Sequence, residues 1–378
     1  MLVAGAGVAG LAVARALQVR GSSVEMVEMV ERAPAWTEAG TGIYLPGNAT
    51  RALRALSLGT ALLERAVVIP SQRFCDARGR VLCEIDLGAV WGEVGPCVAI
   101  RHADLHGVLR EGAEEVPLRM GVRVAALALD DMSVTVEFSD TTSAAYDLVI
   151  GADGVHSTVR RLALGPECPE GPGGASAAVR PAGQIGWRFV TACPPEATTW
   201  SVQLGRRSAL LTLPLGGGRL YGYCDALDGP DADGSPARLW EVLSEFGPPG
   251  QQILEALGDA DALHVDAIEE VVLDTWSRGR VLLIGDAAHA TSPNMAQGAA
   301  MALEDALVLA ECVAEQSSVD AALAAFSARR KPRNDWVLAQ TRSRDRTRNL
   351  PPAIRNLVLR RLGQRIYRAN YRPLLATP

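Results

Sequence analysis

Lysine is almost absent from this sequence of 378 residues: the 37 basic residues include a single lysine, Lys331. That residue lies in the charged run SARRKPRND, so no lysine is left for a buried catalytic role. Aromatic residues make up 5% of the chain, which predicts a binding pocket lined mainly by aliphatic side chains. The net charge of −6 argues against nucleic acid or an acidic membrane as the main partner.

Cysteine pairs and long apolar runs are also missing. The seven cysteines are scattered and include no C-x-x-C pair, which predicts reduced thiols in a cytoplasmic protein rather than a disulfide framework or a zinc site. No uncharged apolar run approaches the roughly 20 residues of a membrane span, and the apolar N-terminus lacks the basic stretch that begins a signal peptide. His102 and His106 share a helix face in HADLH, but no third ligand accompanies them, so no metal site is predicted.

What the sequence does contain is a glycine-rich turn near its start. LVAGAGVAGLAVARALQVRG predicts a strand, a turn and a helix, and SVEMVEMVERAP predicts a second strand. In this context Gly5 permits a tight turn, Gly7 lets a pyrophosphate approach the backbone, and Gly10 lets the helix pack closely on the strand. The free N–H groups of the helix, which begins around Val8 and Ala9, would face the phosphates. We therefore predict that this loop binds a dinucleotide.

An acid at the end of the second strand is expected to bind the ribose hydroxyls of that dinucleotide. Glu28 and Glu31 are both candidates, because both lie about 20 residues past the glycines. Glu31 is favoured, since Arg32 and the Ala33–Pro34 pair follow it at the predicted end of the strand. LGGGR at 215–219 is not a second G-x-G-x-x-G, so a second dinucleotide would lack its own Rossmann fingerprint.

Strand and helix patterns alternate through the rest of the chain, which predicts an α/β fold with an α+β insertion. The fold would combine a Rossmann-type domain, a β-sheet substrate domain and C-terminal helices. Hairpins are predicted within 73–85 and 122–140, and a surface connection at the Gly- and Pro-rich residues 165–182. The predicted division gives 1–66, 98–170 and 276–350 to a discontinuous cofactor domain, 67–97 and 171–275 to the substrate domain, and 351–378 to a C-terminal helix.

Three separated motifs resemble those of one enzyme family. They are GAGVAG at 5–10, DLVIGADGVHSTVR at 147–160 and GRVLLIGDAAHATSPNMAQGAAMALEDA at 279–306. In this order they resemble the class A flavoprotein monooxygenases, the p-hydroxybenzoate hydroxylase-like group. The resemblance implies FAD as the cofactor, NAD(P)H as a transient reductant and O2 as a co-substrate.

The resemblance also implies which residues bind the flavin. Asp286, after Gly285, would accept hydrogen bonds from the ribityl chain. The segment from Pro293 would pass along the flavin ring, and the N–H groups of Gly298 and Ala299 would favour negative charge on the reduced flavin. The other residues implied are Asp153 and Gly154, linked to the pyrophosphate and to NAD(P)H use, Arg101 near the ribityl–phosphate region, Gly42 in a mobile loop, Arg32 and Val124.

The implied reaction places one oxygen atom, carried as a flavin C4a-hydroperoxide, on a small aromatic or polyketide-like substrate by hydroxylation or epoxidation. No catalytic acid or base is predicted. Candidates to line the substrate pocket are Trp187, Arg188, Pro293 and Met295, although Trp187 fits a sheet core equally well and Arg188 could simply pair with a carboxylate. Two alternatives stay open: a flavin-dependent reductase or dehydrogenase on the same fold, and a non-catalytic FAD-binding protein. The sequence leaves the substrate, the choice between NADH and NADPH, and the oligomeric state open.

Overall fold

The computed structural model describes residues 1–20, 26–36, 41–165, 178–194, 197–227, 234–248, 250–257 and 263–378. Its strands are, in chain order, β1 (Leu2–Ala4), β2 (Glu28–Glu31), β3 (Gly42–Leu45), β4 (Val67–Val68), β5 (Ser71–Asp76), β6 (Val81–Asp86), β7 (Val98–Arg101), β8 (Leu118–Met120), β9 (Val124–Leu129), β10 (Val134–Phe138), β11 (Ser143–Tyr146), β12 (Val149–Gly151), β13 (Val179–Ala192), β14 (Trp200–Leu204), β15 (Ser208–Gly216), β16 (Arg219–Ala226), β17 (His264–Val271), β18 (Ser277–Arg278) and β19 (Val281–Leu283). Its helices are α1 (Val8–Val19), α2 (Gly47–Ala55), α3 (Gly59–Leu63), α4 (Leu87–Trp91), α5 (His102–Gly112), α6 (Thr158–Leu164), α7 (Pro236–Ser244), α8 (Gly250–Leu257), α9 (Asp286–His289), α10 (Gly298–Glu315), α11 (Val319–Arg348) and α12 (Pro352–Leu375).

A six-stranded sheet in the order β18-β19-β12-β1-β2-β8 forms the centre of the nucleotide-binding part. Its strands run parallel except for β18. β1, β12 and β19 are buried along their whole length, which explains why they consist of apolar residues and glycine. Helix α1 packs on this sheet, and α10 packs against α1. The predicted βαβ start and α/β class are therefore confirmed.

A seven-stranded sheet in the order β17-β13-β16-β15-β14-β5-β6 forms the second layer. Its β5–β6 hairpin confirms the pairing predicted within 73–85, and the alternating strands after residue 178 confirm the predicted β-rich region. One face of the sheet packs against α7 and α8 in a separate apolar core. Because side chains alternate along a strand, the residues between the core-facing ones point to the opposite face.

Two small sheets and three long helices complete the fold. β11-β10-β9 contains the predicted hairpin within 122–140, and β3-β7-β4 lies beside the large sheet. Helices α10, α11 and α12 follow one another to the C-terminus, as the sequence predicts. None of the described helices combines the length and apolarity needed to cross a membrane. Most of the predicted connection at 165–182 falls on 166–177, outside the described residues. The predicted division into two domains stays a proposal.

Candidate active site

The glycine loop between β1 and α1 is shaped by close backbone packing. A Cβ atom at Gly10 would lie 1.9 Å from the carbonyl oxygen of Gly5, and one at Gly5 would lie 2.4 Å from that of Ala152. Gly5 also has φ +103°, a conformation that side chains disfavour. A Cβ atom at Gly7, in contrast, would meet no described atom within 4 Å. Gly5 and Gly10 are therefore needed for packing, whereas Gly7 leaves open space in front of the α1 N-terminus, where Val8 and Ala9 begin the helix.

The two candidate acids of β2 have different surroundings. Glu31 ends the strand beside the glycine loop, where its carboxylate accepts hydrogen bonds from the backbone N–H of Ala6 at 2.8 Å and of Ala33 at 2.9 Å. Glu28 begins the strand and accepts from the hydroxyl of Tyr146 at 2.8 Å, so its carboxylate is engaged by the neighbouring small sheet. This arrangement supports Glu31 as the ribose-binding acid.

A tight turn after β19 presents the carboxylate of Asp286 to an open cavity. Gly285 has φ +57°, and a Cβ atom there would lie 2.8 Å from the Cβ of Ala9, so the turn fits closely against α1. Asp286 follows and faces the cavity described below. Burial raises the pKa of its carboxyl, and His289 opposes part of that increase. In the described ranges no residue donates a hydrogen bond to this carboxylate, which leaves its lone pairs for the hydroxyl groups of a ligand.

A buried ion network holds that turn from behind. Asp305 Oδ2 accepts from Gly285 N at 3.0 Å and lies 2.6 Å from His289 Nε2, while Oδ1 accepts from Arg330 Nε at 2.7 Å. Arg330 Nη1 also donates to Glu304 Oε2 at 2.8 Å. Burial alone would raise the pKa of Asp305, but His289 and Arg330 outweigh it and hold the pKa at about 2. This network was not predicted from the sequence, although two adjacent acids inside the apolar run MALEDALVLA were a signal for it.

The loop after α9 leads into the N-terminus of α10. Pro293 begins a 3₁₀ turn, and Ala296 adopts the left-handed conformation with φ +51°. Helix α10 begins at Gly298. Pro293, Gly298 and Ala299 line the cavity, so unpaired first-turn N–H groups and the positive end of the helix dipole lie at its wall.

The second motif connects to the Gly285 turn through an arginine that the sequence analysis did not single out. Asp153 accepts from the backbone N–H of Thr158 at 2.7 Å and so caps α6. Gly154 has φ +84°, and a Cβ atom there would meet no described atom within 4 Å. Arg160, 1% exposed, donates from Nη1 to the carbonyl oxygen of Ala287 at 2.8 Å. The second motif, residues 147–160, therefore supports the third, residues 279–306. Arg160 could have been recognised from the sequence, because it is a charged residue on the buried face of α6.

Other residues assigned to the FAD site lie in varied surroundings. Gly42 begins β3 and pairs with Arg101 of β7, and a Cβ atom there would lie 2.6 Å from the Cβ of Tyr221. The expectation that Gly42 sits in a mobile loop is wrong, because close packing fixes it in a strand. Arg101 forms an ion pair with the carboxylate three residues along α5. Val124 is buried at the start of β9, and Arg32 is exposed after β2.

A cavity of about 610 Å³ lies between the loop from Pro293 to Ala299, the large sheet, and helices α11 and α12. Its walls are mostly apolar, and unlike the sequence expectation they include several aromatic rings. Arg188 lines it as predicted, and also pairs with Asp266. Representative apolar lining residues are Phe74, Trp200, Leu211, Tyr223, Ile366 and Tyr367.

Two predicted pocket residues do not line this cavity. Trp187 is 0% exposed in the core beneath α7 and α8, where its Nε1 donates to Gly234 O at 3.1 Å. It neighbours Arg188 on β13, and adjacent strand residues point to opposite faces. Met295 is 1% exposed and packs into the main core, because the 3₁₀ turn directs it away from the cavity.

The histidines of HADLH serve separate purposes. His106 Nε2 lies 2.8 Å from the carbonyl oxygen of Ala6, so it supports the glycine loop. His102 lines the cavity, and burial, with His106 and Arg188 nearby, lowers its pKa. In the described part of the chain, no three His, Cys, Asp or Glu side chains are grouped as metal ligands.

Comparison with known proteins identifies the class that this fold and site define. Residues 1–341 match the family described as FAD binding domain, and the chain belongs to this family of FAD-dependent flavoprotein monooxygenases. The predicted resemblance, cofactor and monooxygenase activity are thereby confirmed.

Particular relatives cover most of the chain. The aurachin C monooxygenase/isomerase of Stigmatella aurantiaca is 31% identical over 90% of this chain and 88% of that protein. The 2-heptyl-3-hydroxy-4(1H)-quinolone synthase of Pseudomonas aeruginosa is 33% identical over 90% and 87%. The structure of Klebsiella pneumoniae HpxO with FAD and uric acid superposes with a TM-score of 0.87, at 26% identity, over 100% of this chain and 97% of that one.

Proposed function

We propose that this enzyme hydroxylates a planar aromatic compound, with a quinolone-like fused ring as the leading candidate, using NAD(P)H and O2. The observation that carries the proposal is one cavity that joins Asp286, Pro293 and Gly298 to the apolar face of the large sheet. A volume of about 610 Å³ falls in the range of roughly 300–1,000 Å³ typical of small-molecule sites. Two relatives that cover most of the chain are named for aurachin C and for a heptylquinolone.

The residues present fit FAD along its length. The open flank of Gly7 leaves room for phosphates at the α1 N-terminus, and Glu31 is held in position for ribose hydroxyls. Asp286 opens into the cavity and receives no hydrogen bond from the described residues, as a partner of the ribityl chain should. When bound, FAD supplies the redox chemistry, taking hydride from NAD(P)H and activating O2.

The protein's own contribution is orientation, exclusion of water and electrostatics. The α10 N-terminus at Gly298 and Ala299 places N–H dipoles where negative charge on a reduced flavin would be stabilised. The aromatic and aliphatic walls keep the reacting ring dry. We further propose the two-domain division given above, and a cytoplasmic location, for which the described cysteines, all free thiols, are the support.

The test is a product screen with purified, FAD-loaded enzyme. A panel of quinolones and hydroxylated aromatic acids is scored for stimulated NAD(P)H oxidation, O2 uptake and a product heavier by one oxygen atom. We expect a fused neutral ring to give all three signals. Turnover without O2 uptake would instead identify a reductase or dehydrogenase, and flavin that no NAD(P)H condition reduces would identify a non-catalytic flavoprotein.

A further inference from the structure

Two buried charged residues in the cavity wall leave part of their hydrogen-bonding capacity unused. Arg348, 9% exposed, donates from Nη1 to Oδ2 of Asp225, 3% exposed, at 2.7 Å. Asp225 Oδ1 and Arg348 Nε and Nη2 are buried and form no geometrically good hydrogen bond in the described part of the chain, and the buried hydroxyl of Tyr223 beside Asp225 is likewise unpaired. Both residues line the cavity. Buried polar atoms are almost always paired, so this pattern points to a ligand as the missing partner.

The pair lies close to the loop that would carry the flavin ring. Arg348 ends α11, three residues after Asp345, which accepts a hydrogen bond from the loop residue Asn294. Three residues of helix correspond to a rise of roughly 4.5 Å. Asp225 lies on the cavity-facing side of β16, beside Ala209 of the apolar strand β15. A ring bound at this pair would therefore rest on the apolar sheet and reach toward the flavin loop.

Resting on the proposed function, we propose that Asp225 and Arg348 form the polar subsite for the substrate. They select an aromatic compound whose polar group is neutral and both donates and accepts a hydrogen bond, such as a ring hydroxyl or a lactam. The group donates to Asp225 Oδ1 and accepts from the free N–H groups of Arg348.

Charge balance is the reason for the selection. Asp225 already neutralises Arg348, and Asp345 adds a further negative charge near both, so a neutral group satisfies the free atoms without adding charge. A substrate carboxylate could also accept from Arg348, but it would bring a second negative charge next to Asp225 in a site with little water. Three other arginines in the wall are engaged elsewhere. Arg188 pairs with Asp266, Arg344 donates to the hydroxyl of Tyr371, and Arg355 donates to the carbonyl oxygens of Leu204 and Gly205.

The experiment measures equilibrium binding to the FAD-loaded enzyme by the change in flavin absorbance. The probes are 2(1H)-quinolone, a lactam whose N–H and C=O are adjacent and can donate and accept side by side, and quinoline-2-carboxylate, which shares the ring system and differs in its polar group. The wild-type enzyme should bind the neutral probe at least tenfold more tightly, the size of effect expected from about one unpaired buried polar contact. Equal binding, or tighter binding of the carboxylate, would overturn the proposal.

Two variants should move this preference in opposite directions. Asp225→Asn removes the repulsion and leaves Arg348 uncompensated, so the carboxylate probe should bind more tightly and the quinolone less tightly. Arg348→Gln leaves Asp225 unpaired, so discrimination against the carboxylate should increase. A purely structural defect would weaken both probes alike, and that result in both variants would refute the subsite.

A matched control is a second ion pair that joins the same helix to the large sheet. Arg342 of α11 pairs with the buried Glu270 of β17, and neither residue lines the cavity. Glu270→Gln should leave the ratio of the two affinities unchanged. The binding measurement requires no turnover, so the preference can hold even if the product screen fails to show oxygen transfer. Failure of the wild-type enzyme to bind either probe would refute the subsite and leave the product screen to decide the proposed function.

Discussion

Replacing Asp305 by Asn tests whether the buried ion network supports the Gly285–Asp286 turn. The carboxylate, 0% exposed, receives charge-assisted hydrogen bonds from His289 and Arg330. Such bonds contribute about 1.5–3 kcal/mol each. An asparagine keeps one acceptor oxygen, and Glu304 still compensates Arg330, so the variant should lose about one such bond. We expect the free energy of unfolding at pH 7 to fall by about 2–3 kcal/mol, below the 3–5 kcal/mol typical of an orphaned buried charge.

The same substitution should weaken FAD binding at least tenfold. The Gly285 N–H donates to Asp305 at 3.0 Å, and an amide NH2 turned toward it would repel that donor. The matched control is Glu311→Gln on the same helix, because Glu311 pairs at the surface with Arg329. Surface pairs contribute about 0–1 kcal/mol. Urea unfolding and FAD titration of both variants measure the losses of stability and of FAD affinity. If the Asp305→Asn variant is no less stable than Glu311→Gln, the ion network does not support the turn.

The difference in stability between the wild type and Asp305→Asn should depend on pH in a definite direction. The pKa of Asp305 is held at about 2, below the ordinary value of 3.8. A carboxyl whose pKa is lower in the folded state stabilises the fold above its unfolded pKa, and the contribution is lost as pH falls through the folded pKa. The stability gap between wild type and Asp305→Asn should therefore be constant above about pH 5 and shrink between pH 4 and 2.

Three further comparisons test the FAD site. Glu31→Gln should weaken FAD binding in titrations of the apoprotein more than Glu28→Gln, and the reverse order would show that Glu28 binds the ribose. Gly7→Ala should unfold like the wild type yet bind FAD poorly, because the added methyl group fills only the open flank of the loop. Gly10→Ala should instead destabilise the fold itself. Normal FAD affinity in Gly7→Ala would contradict a phosphate site at this loop. Asp286→Ala should lose FAD on gel filtration. Full retention of FAD would count against Asp286 as the partner of the ribityl chain.

Local sequence patterns predicted most of the fold because they report local physics. Strand–turn–helix signals, glycine spacing and hairpin turns each depend on residues close together in the chain, and the structure confirms them at β1–α1 and β5–β6. The choice between Glu28 and Glu31 was also suggested locally, from the predicted end of the strand. One error was avoidable: Trp187 and Arg188 are adjacent in β13, so period-two alternation excludes both from one face.

Other features could not be read from local patterns. Asp225 and Arg348 are separated by 123 positions, and each alone resembles many acids or arginines in this arginine-rich chain. Gly42 was placed in a loop because nothing nearby shows that Tyr221 packs against it. Met295 was assigned to the pocket from its position in a motif, but the direction of a side chain in a 3₁₀ turn depends on the core that receives it.

Helix α11 links the cofactor site to the proposed substrate subsite. Arg330 contacts the network behind the Gly285 turn, and Arg348 reaches the cavity 18 residues later, a rise of roughly 27 Å along a helix. Between them Asp345 accepts a hydrogen bond from Asn294, in the loop from Pro293 to Ala299 that lines the cavity. Because one continuous helix contacts all three places, it connects the FAD turn to the proposed substrate subsite. Substitutions that bend α11 should therefore change substrate orientation and FAD binding together, even where they touch neither ligand.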